Sequence, residues 1–100
     1  MPMAITMPSD ELGEFCRRHD VRRLLVFGSV LRPDFRDDSD VDMLIEMNPR
    51  AKLGLFKLTR LQMELSELIG REVDLNTPGF ISPRYRDEVM AAAEVLYADG

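Results

Sequence analysis

Phe27-Gly-Ser-Val-Leu-Arg-Pro-Asp-Phe-Arg-Asp-Asp-Ser-Asp-Val-Asp-Met-Leu-Ile45 is the stretch on which the fold of this chain turns. A Gly-Ser pair closes the short apolar run Arg23-Leu-Leu-Val-Phe27, which suits a buried strand. A short turn or helix is expected to begin at Ser29 and stop around Asp37. Two aspartates at i and i+2 then open a second run of strand formers, Val41-Asp-Met-Leu-Ile-Glu-Met47, ended by Asn48-Pro49. Because successive strand side chains point to opposite faces, Asp40 and Asp42 should project to one side, with Val41 turned the other way into the core. Two acids on one face invite a divalent cation. Gly28 permits close backbone approach, and Ser29 would start a helical turn whose free N–H groups and hydroxyl can hold phosphate oxygens.

Outward from this segment the apolar periodicity alternates between helix and strand. Leu12, Phe15, Cys16 and His19 fall at i, i+3, i+4 and i+7, with Ser9 as a candidate cap and Asp10 and Glu11 suited to a helix N-terminus, so a helix is expected over 9–19. Leu55, Leu58, Leu61, Leu65 and Leu68 repeat at helical spacing over 53–69 before a Gly70 stop. Glu72-Val-Asp-Leu75 reads as a third strand. Ser82-Pro83 opens a final helix whose inner face should carry Tyr85, Val89, Ala92, Ala93 and Leu96. The expected order is α-β-α-β-α-β-α, an α/β chain in which helices pack on a small sheet.

Asp74 is the odd residue of the third strand, since a charge has no use in an otherwise apolar run. Like charges about 4 Å apart repel by about 4 kcal/mol at an effective dielectric near 20, so a third carboxylate beside Asp40 and Asp42 would be a liability without a cation. Oxygen-only ligands suit Mg²⁺ or Mn²⁺ better than zinc. Asp34, Asp37 and Asp38 need no ligand, because a solvated acidic loop explains them. His19 fits a helix end, and Arg84 and Arg86 fit a solvated or partner-facing surface as well as a nucleotide.

Composition narrows the function classes. One hundred residues, 45% hydrophobic and 31% charged, suit one globular domain over 1–100, with 1–8 expected as a flexible N-terminus. No stretch approaches the roughly 20 apolar residues that span a bilayer, and the N-terminus lacks the pattern of a secretory signal, so the cytoplasm is the expected compartment. Cys16 is the single cysteine and is expected in the core. A net charge of −5 argues against a long nucleic acid and for a nucleotide as the phosphate-bearing substrate.

Gly28-Ser29, Asp40-Val-Asp42 and Asp74 together resemble the signature of the DNA polymerase β nucleotidyltransferase superfamily, most closely its minimal single-domain prokaryotic branch, the MNT domain. The resemblance runs from about Val21 to Leu75 and implies that family's fold, a small mixed sheet with helices packed on it. It implies that Asp40 and Asp42 hold two Mg²⁺ ions and that Asp74 holds the catalytic one and can take the acceptor's proton. It also implies that Gly28 and Ser29 bind the triphosphate of ATP and that Arg32 contacts substrate or pairs with the acids. Pro33 stands where glycine is common. The implied reaction moves AMP to a hydroxyl. Many such domains are antitoxins of a neighbouring HEPN-domain protein, some by adding AMP to its tyrosine. Two other readings stay open: an antitoxin that only masks its partner, and a transferase for a small molecule. The acceptor, the base and any homo-oligomer are not legible in the sequence.

Overall fold

The computed structural model describes residues 8–28 and 40–99. In chain order they form α1 (Ser9–Arg18), β1 (Val21–Phe27), β2 (Val41–Met47), α2 (Leu55–Ile69), β3 (Val73–Asn76), a 3₁₀ turn at Pro78–Phe80, α3 (Pro83–Ala92) and β4 (Glu94–Ala98). The strands make one mixed sheet in the order β3-β2-β1-β4. β1 is antiparallel to both β2 and β4, and β2 runs parallel to β3 with α2 as the crossover between them.

The period of two along β2 divides the sheet into a face packed against the helical core and a face that carries Asp42 beside the buried Leu44. Val41, Met43 and Ile45 are fully buried and share one core with Leu24 and Val26 of β1 and Val73 and Leu75 of β3. Leu12, Phe15 and Cys16 of α1 and Leu58, Leu61 and Leu65 of α2 close that core from the helical side. The dry environment pushes the Cys16 thiol up to about 12, so this cysteine behaves as a small apolar side chain. No helix among the described residues is long and apolar enough to cross a membrane.

Several expectations need correction. Ser9 is the first residue of α1 rather than its cap: Pro8 holds that position, and no side chain caps the end. α2 begins at Leu55 and not at 53, and Leu55 is 72% exposed, so only the later leucines of the repeat reach the core. Gly70 does end this helix, at φ 76°, the left-handed conformation that a side chain resists. The largest correction is at the C-terminus. α3 stops at Ala92 and buries none of its residues; Tyr85 is 53% exposed. Leu96 and Tyr97 belong to β4 instead, which pairs with the open edge of β1. The described residues therefore hold three helices and four strands. The turn or helix expected from Ser29 lies outside them.

Candidate functional site

Asp42 sits one residue inside β2, its half-buried side chain on the face away from the core. Its register partners are Phe27 on β1 and Asp74 on β3. Aligned residues on neighbouring strands point to the same side, so Asp42 and Asp74 stand next to each other across a strand spacing of about 4.8 Å. Asp40 precedes β2 by one residue, exposed, and the Val41 N–H donates to Glu72 O at 2.9 Å, which carries the ladder to the very start of the strand.

Electrostatics agree with that placement. The Asp42 carboxyl is held above its ordinary value of 3.8, first by burial, then by the neighbouring charge of Asp74 and then by that of Asp40. Both other aspartates thus act on the same carboxyl. Gly28 adds a steric feature: it lies at φ 79°, and a Cβ built there would run into Asp42 Oδ2, with Cγ at 3.3 Å and Cβ at 3.5 Å. Only a residue without a side chain lets the backbone after β1 pass this close to the carboxylate.

β3 is short and lies at the edge of the sheet, so something has to hold Asp74 in register. α2 does so from its polar flank. The Leu75 N–H donates to Gln62 Oε1 at 2.9 Å and the Val73 N–H donates to Ser66 Oγ at 3.0 Å. These bonds satisfy the outward N–H groups on either side of Asp74, which would otherwise be unpaired at a sheet edge. Sequence reading missed Gln62 and Ser66, which lie on a helix far from the motif in the chain. It also missed Asn76, whose Nδ2 donates to Asp74 O at 3.3 Å; the period of two from Asp74 was the available signal.

Of the residues singled out in the sequence, Gly28, Asp40, Asp42 and Asp74 gather at one end of the sheet. Ser29 and Arg32 lie outside the described residues, as do Pro33, Asp34, Asp37 and Asp38. His19 caps the C-terminal end of α1, its ring 4.9 Å from that of Phe15. Among the described residues no three His, Cys, Asp or Glu side chains, the three aspartates included, stand close enough together to hold a metal ion as a group. An open row of carboxylate oxygens nevertheless fits Mg²⁺, which keeps several of its waters and takes one or two carboxylates together with substrate phosphates.

The sequence model of the family described as "Nucleotidyltransferase domain" matches residues 10–96. A Methanocaldococcus jannaschii protein that carries the provisional name protein adenylyltransferase is 38% identical over 80 residues, covering 79% of this chain and 84% of its own. Protein adenylyltransferase MntA of Thermococcus cleftensis is 39% identical over 71 residues, 71% of this chain and 67% of its own. Among solved structures, one described as a minimal nucleotidyltransferase superposes with a TM-score of 0.71 at 34% identity, covering 86% of each chain. A complex of tri-AMPylated Shewanella oneidensis HEPN toxin with MNT antitoxin superposes with a TM-score of 0.66 at 17% identity, covering 91% of this chain and 70% of that one, a likeness of fold.

Proposed function

The chain belongs to the nucleotidyltransferase domain family, and on that footing we propose that it transfers AMP from ATP to a hydroxyl of a partner protein, as the antitoxin of a HEPN-type toxin. The observation that carries this reading is Asp42 registered beside Asp74 on one sheet face, with Asp40 just before the strand and both neighbours acting on the Asp42 carboxyl. Similarity to proteins named protein adenylyltransferases supports the choice of AMP and of a protein acceptor. The likeness to the AMPylated toxin complex supports a HEPN partner. The proposed setting is the cytoplasm, with the 100 residues acting as one domain.

Asp40 and Asp42 would hold two Mg²⁺ ions, and Asp74 would complete the site of one of them. When bound, the ions supply Lewis-acid stabilisation of charge on the α-phosphate and on the departing pyrophosphate. Gly28 keeps the backbone against Asp42, and Ser29 and Arg32 would serve as contacts to the phosphates. The acceptor oxygen forms its bond to the α-phosphorus, while the bond to pyrophosphate breaks and its electron pair leaves with the pyrophosphate. Asp74, the more exposed carboxylate of the registered pair, takes the acceptor's proton and returns it to water.

The test is to incubate the protein with α-labelled ATP, Mg²⁺ and a HEPN-domain protein encoded beside it. Label is expected on the partner with wild type and not with Asp42→Asn. Undiminished labelling by Asp42→Asn would sink the catalytic assignment. Full neutralisation of the toxin in cells by Asp42→Asn would show that masking alone suffices.

A further inference from the structure

α2 turns Leu58, Leu61 and Leu65 into the core, and its opposite side is apolar too: Phe56 is 96% exposed and Met63 63%. Phe56, Arg60 and Met63 fall within about 60° of one another around the helix, because each residue advances about 100°. Beside them a groove of about 450 Å³ runs between the end of α1 and α2, lined by His19, Phe56, Lys57, Arg60 and Leu61.

The charges along α2 run against its own dipole. Its first turn holds no acid and its last turn no base, whereas Lys57 stands near the start and Glu67 near the end. The neighbouring α1 has the favourable arrangement, Asp10 and Glu11 leading and Arg17 and Arg18 closing. Glu64, the acid nearest along the helix, is already engaged by Arg18 and His19 across the two helices. Among the described residues, no ion pair neutralises Lys57 or Arg60. Two cations without an ion pair among the described residues flank a bare phenylalanine, in a chain of net charge −5, and give this groove a local positive charge that complements an anionic partner.

We propose that this groove docks an acidic segment of the partner protein, an apolar side chain seating against Phe56 and Leu61 while carboxylates meet Lys57 and Arg60. The inference rests on the reading that the acceptor is a protein. Two cations on an acidic chain are too few for nucleic acid or an anionic membrane, which depend on many. Exposed Phe and Met with Arg is the composition of a protein interface core. α2 lies on the dry side of the sheet and the carboxylates on the other, so docking and chemistry are separated by the body of the domain. The acceptor hydroxyl therefore sits on a part of the partner that reaches round from the docked segment to the other face of the sheet.

The experiment measures binding of the HEPN-domain partner by calorimetry, and the Mg²⁺–ATP melting shift, for wild type, Phe56→Ser, Lys57→Glu/Arg60→Glu and Asp42→Asn. The first two variants should weaken binding tenfold or more and keep the wild-type melting shift, which also shows that they fold. Asp42→Asn should bind normally and lose the shift. If wild type binds and both surface variants bind within twofold of it, the docking site is wrong and the functional reading stands. If wild type binds no HEPN protein, the functional reading fails and this surface with it. Binding of a 20-nucleotide RNA or of anionic vesicles in place of the partner, lost in Lys57→Glu/Arg60→Glu, also overturns the proposal.

Discussion

Replacing Gly28 by alanine separates the two demands that the turn after β1 meets. The first is conformational: at φ 79° an L-residue costs about 1–2 kcal/mol, whatever space surrounds it. The second is steric, because the new Cβ would collide with Asp42 Oδ2. Cγ at 3.3 Å and Cβ at 3.5 Å are tolerable, so the carboxylate can turn aside without moving the strand, at an off-rotamer cost of about 0.5–1.5 kcal/mol. The sum is about 1.5–3.5 kcal/mol, which for a domain of this size lowers the melting temperature by about 6–28 °C. In an Asp42→Ala background the collision disappears and the conformational term remains. Gly28→Ala should there cost only about 1–2 kcal/mol, leaving a coupling of about 0.5–1.5 kcal/mol in the double-mutant cycle. Transfer should suffer more than stability does, since a displaced ligand costs on the order of 100-fold in rate. Calorimetric melts of the four proteins and a labelled-ATP assay provide the numbers. A Gly28→Ala melt within 2 °C of wild type, or an equal loss in both backgrounds, would refute the claim that this glycine exists to admit Asp42.

Other perturbations follow from the same geometry. The folded-state pKa of Asp42 lies above its ordinary 3.8, so folding favours the protonated form; its stability contribution is full below 3.8 and is lost as pH rises through the folded value. Metal-free Asp42→Asn should therefore be at least as stable as wild type at pH 7, with the advantage shrinking toward pH 4; urea melts showing it less stable at pH 7 would make the acid structural. Mg²⁺–ATP at 100 times its dissociation constant should stabilise wild type by about 2.7 kcal/mol, an effect that EDTA removes and Asp42→Asn lacks in thermal melts. Gln62→Ala strips the Leu75 N–H of its acceptor and should cost about 1–2 kcal/mol, with faster hydrogen exchange at Leu75; unchanged exchange there would contradict the bond.

The C-terminal segment shows where sequence reading lost the fold. Ala91-Ala-Ala after an apolar, helical-period stretch favours continued helix, and Leu96 falls where the next turn would place it. The competing term was tertiary. β1 is flanked by β2 on one side only, and its other edge needs a partner; β4 supplies one, and beyond it the Asp99 N–H donates to Arg22 O at 2.8 Å. A local signal existed, since Glu94-Val-Leu-Tyr97 contains strand formers, but propensity over four residues could not outweigh the alanines without knowledge of the open edge. β2, by contrast, was legible to the residue, because its run of strand formers and the Asn48-Pro49 stop act within the segment itself.

The site divides along the same line. Asp40 and Asp42 could be placed on one face from their spacing alone, because a strand's period of two is a local rule. That Asp74 joins them is a matter of register between separate strands, and register depends on what holds β3 at the sheet edge. Gln62 and Ser66 do this by accepting from the N–H groups on either side of Asp74, while Asp74 remains exposed. A slip of one residue would turn Asp74 toward the core and expose Val73 and Leu75, so the apolar residues and the helix side chains enforce the same alignment. The repulsion among the three acids works against this register, and Asp42 bears it as a raised pKa. The alignment therefore persists because the burial of Val73 and Leu75 and two hydrogen bonds from α2 outweigh the acid repulsion, and a cation that relieved the repulsion would strengthen the same register.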